Sequence, residues 1–191
     1  PRLEQLRYRV YTLHKASGIT VDSCARLAKA RLYVLVDALP SSAEFDVLCR
    51  ALVAAGVDLL QLRDKQRDDR TLLSRARSLR KITAPTKTLF IMNDRPDLAV
   101  LAGADGVHVG QEELSVHDVR RITCSEMLVG VSTHTVEQAR NAVLDGANYL
   151  GVGPTFPSAT KQFDAFPGLD FVRQVADEIR LPAFAIGGIT T

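Results

Sequence analysis

Two cations stand two residues apart in Gln61-Leu-Arg-Asp-Lys65, at the end of an apolar run. In an extended strand Gln61, Arg63 and Lys65 point to one face, and Leu62 and Asp64 to the other. A planar guanidinium fork and a point-charge ammonium suit phosphate oxygens, and burying them without an anion is costly. Acids on neighbouring strands would satisfy the same two cations. Asn93-Asp94-Arg95-Pro96-Asp97 ends the next run. Asp94 could bind a hard cation and Asn93 could donate to an oxyanion, or either could cap the helix that Pro96 opens. In Gly106-Val-His-Val-Gly-Gln-Glu-Glu-Leu114, His108 sits between valines, where a structural histidine is expected rather than a base. Glu112 and Glu113 come after it. One of them could share a divalent ion with Asp94, because Mg²⁺ takes one or two carboxylates plus substrate phosphate oxygens; surface acids ahead of a helix are the alternative.

Three further segments complete the set. Gly130-Val-Ser-Thr-His-Thr135 ends a run with Ser132 as a neutral hydrogen-bonding group, while Thr133 or Thr135 caps the next helix. His134 suggests a serine–histidine nucleophile, but no Gly-x-Ser-x-Gly elbow accompanies it and that chemistry is not expected. Gly151-Val-Gly-Pro-Thr-Phe-Pro-Ser-Ala-Thr-Lys161 is a shaped loop ending in a cation, suited to folding over an anionic ligand, with the irregular stretch Gln162–Gly168 reading as a mobile lid; an ordinary long loop is the alternative. Ala185-Ile-Gly-Gly-Ile189 brings backbone N–H groups where a phosphate can approach.

Such residues need a scaffold that gathers strand ends. Apolar runs at Leu32–Val36, Leu59–Leu62, Leu89–Met92, Gly106–Val109, Met127–Val131, Tyr149–Val152 and Ala183–Ile186 read as strands. Between them Ala43–Ala55, Arg70–Lys81, Pro96–Ala102, Val116–Ile122, Val136–Leu144 and Phe171–Ile179 read as helices. Continuous apolar strands alternating with helices imply a parallel sheet covered by helices. Ala55-Gly-Val-Asp58, Ala102-Gly-Ala-Asp105 and Leu144-Asp-Gly-Ala-Asn148 echo one another at the helix-to-strand turns, where glycine is expected to adopt a left-handed cap. A doubly wound sheet usually carries a glycine-rich turn after its first strand, and Asp37-Ala-Leu-Pro-Ser41 has none. Polar groups at nearly every strand end point instead to a (β/α)₈ TIM barrel, lacking its eighth strand because the sequence stops at Thr191. Residues 31–191 are expected to form that barrel. Residues 1–30 read as a helical extension or the tail of another domain, with an amphipathic helix over 2–16 and a short one over Asp22–Ala30. Opening at Pro1, the chain reads as part of something longer.

The 191 residues are 46% hydrophobic and 24% charged, which excludes a disordered chain, and no apolar run is long enough to span a bilayer. Residues 1–31 hold seven Lys/Arg against two Asp/Glu, a charge of +5 that suits a solvated helix face or an anionic partner. The remainder holds 17 against 20, or −3, which argues against a nucleic-acid surface. Cys24, Cys49 and Cys124 form no metal-type or paired motif and read as reduced thiols of a cytoplasmic protein.

Taken in order, the strand-end motifs over residues 31–191 resemble the thiamine-phosphate synthase family. The resemblance implies a Mg²⁺-dependent transferase acting on small molecules. It would join 4-amino-2-methyl-5-hydroxymethylpyrimidine diphosphate to a thiazole phosphate and release diphosphate. It implies that Gln61 contacts the pyrimidine, that Arg63, Lys65, Asn93 and Lys161 hold the diphosphate, and that Asp94 and Glu113 hold Mg²⁺. Ser132 would lie beside the reacting carbon, Ser158 and Thr160 would face the thiazole, and Gly188 would contact its phosphate. Ser132, Lys161 and Arg63 would be the catalytic residues. The family usually has Asp where Glu113 stands and Thr where Ser158 stands. A thiazole tautomerase-like enzyme needs no diphosphate site, so the full cation set speaks against it; a non-catalytic barrel that binds thiamine precursors is the other alternative.

Overall fold

The computed structural model describes residues 21–37, 41–123, 125–157 and 167–189. The expected helix over 2–16 and most of the expected lid lie outside them. Two compact units are distinguished, one taking in Ile19–His108 and Val119–Leu128, the other Val109–Asp118 and Val129–Thr191.

The first unit begins with α1 (Val21–Lys29), whose Leu27 is buried and whose Arg26 Nη1 donates to Thr86 O at 3.4 Å. Strand β1 (Tyr33–Val36), helix α2 (Ser42–Ala54), β2 (Leu59–Leu62), α3 (Asp69–Thr83), β3 (Leu89–Asn93), α4 (Pro96–Ala102) and β4 (Gly106–Val109) then alternate. Pairing is parallel and in step: Tyr33 lies opposite Leu59, Leu59 opposite Leu89, and Asn93 opposite His108. Leu59, Leu60 and Leu62 are fully buried, as a strand covered on both faces must be. Each such leucine contributes about 2 kcal/mol by leaving water. Helix α3 turns Leu72, Ala76 and Leu79 inward at helical spacing and is capped by the Asp68 carboxylate, which accepts from Thr71 N–H at 3.0 Å.

Helix α5 (Val116–Ile122) leads to β5 (Leu128–Thr133), α6 (Val136–Asp145), β6 (Tyr149–Val152), α7 (Gly168–Glu178) and β7 (Ala183–Ala185). Within the second unit β5 and β6 pair in parallel, with Ser132 opposite Gly151, as do β6 and β7, with Gly151 opposite Phe184. The seven strands follow chain order, β1 to β7, in one sheet. A doubly wound sheet would reverse its order at a switch point, so the order favours the barrel.

Most boundaries fall within a residue or two of the expected ones. β5 runs through Thr133, so Ser132 belongs to the strand, and α7 starts at Gly168, three residues early. The glycines of the three echoes, Gly56, Gly103 and Gly146, all have positive φ. The polar residue of each echo has its own task. Asp58 accepts from Arg31 and Leu32 N–H at 2.8 and 3.0 Å, Asp105 from Phe90 N–H at 2.8 Å, and Asn148 Oδ1 from Val129 N–H at 2.8 Å. In every case a side chain just ahead of one strand satisfies a backbone donor at the start of the strand before it. No helix among the described residues is long and apolar enough to cross a membrane.

Candidate active site

In the first unit the motif after β2 divides as its alternation requires. Gln61 is buried in the strand, and its Nε2 donates to the Tyr33 hydroxyl. Arg63 is anchored by its N–H to Val36 O at 2.9 Å, and its guanidinium lies 3.7 Å from the Asp37 carboxylate. Asp64 turns the other way into the interior. It accepts from the N–H groups of Gln66 and Arg67 at 3.1 and 3.2 Å, and from Arg75 Nη1 at 3.2 Å. Arg75 is itself buried and lies over the Phe45 ring, 5.5 Å from its centroid. This inward carboxylate curls residues 64–67 and sends Lys65 outward, where its Nζ meets Asp94 Oδ2 at 2.9 Å.

Asp94 stands in the left-handed region at φ 58°, the single non-glycine residue to do so among the described residues. Its N–H donates to His108 O at 2.8 Å, and Arg95 N–H closes a three-residue turn onto Asn93 O at 2.7 Å. Aspartate tolerates this conformation better than most residues, and such strain concentrates at functional sites. The helix-capping alternative for Asn93 and Asp94 does not hold, because the N-cap of α4 is Arg95, with no side-chain cap bond. Arg95 is engaged elsewhere, bonding Asp69 and Asp97. That clamp holds both carboxyls below the usual aspartate range, chiefly through the hydrogen bonds Arg95 donates. His108 is buried, its ring edge-on to Tyr33 at 6.2 Å.

In the second unit Ser132 is half-buried at the end of β5, and its carbonyl accepts from Gln111 Nε2 at 2.6 Å. The Glu113 carboxylate folds back over Gly110, so that a Cβ there would stand 2.3 Å from its Oε2. Thr135, not Thr133, caps α6 by accepting from Gln138 N–H at 3.1 Å; Thr133 Oγ1 donates instead to Gly151 O at 3.0 Å. Gly188 lies in a left-handed turn at φ 65°, against the carbonyls of Phe156 and Pro157. Ser158, Thr160 and Lys161 lie outside the described residues, as does Cys124. Tyr33 escapes a reading of motifs, because it has neither a charge nor a motif to mark it; Gln111 lies within the motif Gly106–Leu114, but as a neutral residue beside two glutamates it draws no role there. Strand parity alone would have put Tyr33 within reach of Gln61.

The sequence pattern of the family described as thiamine monophosphate synthase matches residues 32–191. The chain belongs to this family. It is 48% identical over 197 residues to a thiamine-phosphate synthase of Rhodopirellula baltica, covering 98% of this chain and 52% of that protein. A thiamine-phosphate synthase of Gloeobacter violaceus is 44% identical, covering 97% of this chain and 53% of that protein. The chain thus spans about half the length of the curated relatives it matches. Among solved structures, the thiamine phosphate pyrophosphorylase of Pyrococcus furiosus superposes with a TM-score of 0.75 at 30% identity, covering 86% of this chain and 78% of that one. With the strand order, this gives the fold as the family's (β/α)₈ barrel, seven of whose strands the structure describes.

No group of three or more His, Cys, Asp or Glu gathers as a metal site among the described residues. Mg²⁺ does not need one, since it keeps waters and substrate oxygens and takes only one or two carboxylates. The Asp94 carboxylate fits that role: it is mostly enclosed, at 19% side-chain exposure, and its ammonium partner is a flexible lysine.

Proposed function

We propose that this chain catalyses the family's transfer. The CH₂–O bond of 4-amino-2-methyl-5-hydroxymethylpyrimidine diphosphate breaks and diphosphate departs with the electron pair. A new CH₂–N bond forms to the ring nitrogen of a thiazole phosphate, giving thiamine monophosphate. The observation that carries this reading is the Lys65–Asp94 pair at the ends of β2 and β3, beside Arg63 and Asn93. A cation and an acid held together at a strand top can separate to meet a phosphate oxygen and a metal ion. A tautomerase would have no use for them.

Arg63, Lys65, Asn93 and Lys161 take the leaving diphosphate, stabilising negative charge as it develops. Gln61 orients the pyrimidine, its own amide fixed by Tyr33. The aminopyrimidine ring bears the positive charge left behind, so the path is dissociative and needs no covalent nucleophile. Ser132 offers a neutral hydroxyl beside the reacting carbon. Ser158 and Thr160 face the thiazole, and Gly188 meets its phosphate through the backbone. Asp94 and Glu113 are the pair to hold Mg²⁺, which when bound adds positive charge against the leaving group. The reaction belongs in the cytoplasm, where thiols such as buried Cys49 stay reduced.

The test supplies the two precursors separately and together, with Mg²⁺, and measures diphosphate. Release only when both are present supports the transfer. Binding of the pyrimidine diphosphate without release would overturn it in favour of a precursor-binding barrel.

A further inference from the structure

We propose that His134 is a positioning residue for the phosphate end of the thiazole subsite, acting through the Gly153 carbonyl on the turn at Ile186–Gly188. This rests on the function proposed for the chain, in which that turn meets a phosphate.

His134 comes directly after β5. Its backbone N–H donates to Gln138 Oε1 at 2.7 Å, which fixes the main chain, and its ring Nδ1 lies 2.7 Å from Gly153 O. A carbonyl only accepts, so Nδ1 carries the hydrogen. Gly153 N–H donates in turn to Thr133 O at 3.2 Å. The start of the segment after β6 is therefore tied to the end of β5 through both its carbonyl and its amide.

That segment then grips the turn after β7. Thr155 gives both its N–H and its Oγ1 to Ile186 O, at 2.8 and 3.0 Å, and Phe156 N–H donates to Gly187 O at 2.9 Å. The fit leaves no slack. A Cβ on Gly153 would stand 2.1 Å from Ile186 O, one on Gly187 2.9 Å from Pro154, and one on Gly188 2.6 Å from the carbonyls of Phe156 and Pro157. The turn takes its place from residues 153–157, and the start of that segment is held at its amide by Thr133 O and at its carbonyl by His134. An imidazole between two strand ends thus sets where the Gly187–Gly188 backbone stands, without touching substrate. Ser132, two residues away, serves the pyrimidine side, so the two effects separate by substrate.

The experiment uses the full chain with His134→Ala and with His134→Asn, whose side-chain N–H can replace Nδ1–H. Kinetics are run with each precursor varied, and the Gly187 and Gly188 amide resonances are followed with inorganic phosphate as probe. In His134→Ala, losing the ring hydrogen bond should raise KM for the thiazole phosphate about tenfold, with KM for the pyrimidine diphosphate held within about twofold. The two glycine amides should move even without ligand, their phosphate titration should weaken, and His134→Asn should restore both. An equal rise in both KM values, or unmoved glycine resonances, would overturn the proposal. Should the wild-type chain lack transferase activity, the function falls while the amide shifts still decide the role of His134. If His134→Ala does not fold, His134→Leu, which fills the space without a donor, replaces it in both measurements.

Discussion

Asp94 combines two properties that substitution can separate. It has a carboxylate that meets Lys65, and a left-handed backbone that holds the carboxylate at the end of β3. Asparagine tolerates the same backbone but carries no charge. Asp94→Asn should therefore keep the thermal stability of the wild type and lose Mg²⁺-stimulated diphosphate release, by about 10²-fold in kcat if a charge-stabilising contact is lost. Asp94→Ala should lose that release and also about 1–2 kcal/mol of stability to backbone strain. Parallel melting curves and diphosphate assays check both, and a destabilised Asp94→Asn would sink the argument. Asp64, next to Lys65, behaves differently. Removing its carboxylate would leave Arg75 buried without its ion partner, at about 3–5 kcal/mol. Asp64→Ala should lower Tm by about 10 °C or more in a chain of this size, far beyond any exposed substitution in the same loop. Cys49 shows the same interior acting on a thiol: burial, helped by Asp46, pushes its pKa up to about 12. It should resist alkylation in the native protein and react on unfolding.

At the scale of elements, Arg95 joins the first turns of α3 and α4 by bonding Asp69 and Asp97 together. Both acids also lie where a helix N-terminus favours negative charge. Their folded pKa values lie below the unfolded aspartate value of about 4. The stability they add is therefore present above that pH and lost as pH falls through the lowered folded values. Urea midpoints measured from pH 6 down to pH 3 should fall more steeply for wild type than for Arg95→Gln, and parallel slopes would refute the clamp. The strands and helices that frame this clamp are legible in the sequence. Runs such as Leu59–Leu62 are buried on both faces, so burial and apolar identity coincide. The apolar pattern makes β5 too short because Ser132 and Thr133 are polar, although the ladder to β6 continues through them. The early start of α7 escapes the pattern because Gly168 and Leu169 come after a proline and carry no side-chain cap. Pairings are the least legible part. Nothing in the spacing says that Arg95 reaches back 26 residues to Asp69, or that the Asp64 carboxylate turns inward to Arg75. Those partners are chosen by packing, which a linear pattern does not contain. The motif residues that can be placed from sequence are those at strand ends, because β/α alternation fixes where a strand must stop.

For the molecule as a whole, ligand binding and unfolding are linked by mass action, whichever residues make the contacts. A ligand that binds only the folded chain stabilises it by an amount set by its concentration relative to Kd, about 2.7 kcal/mol at a hundredfold excess. Cations that recognise phosphate and carboxylates that recognise Mg²⁺ then make a joint demand. On the function proposed above, without the metal the pyrimidine diphosphate would bring its charge to Arg63 and Lys65 while Asp94, which meets Lys65 in the structure, would still compete for the Lys65 ammonium. With the metal, the acid and the ammonium would have separate partners and the competition would end. Mg²⁺ alone should move Tm little, and the diphosphate alone should raise it modestly. Both together at a hundredfold excess should raise it by about 5–10 °C in a chain of this length, and a chelator should reverse the additional part. Lys65→Met removes the contested ammonium and with it one proposed phosphate contact. It should shrink the shift with the diphosphate while leaving the unliganded Tm within about 1 °C, because the ammonium side of the pair is exposed and such a pair adds little stability. Equal shifts with and without Mg²⁺ would mean that the carboxylate of Asp94 and the ammonium of Lys65 do not exchange partners on binding, and the leaving-group chemistry assigned to them would have to move elsewhere in the chain.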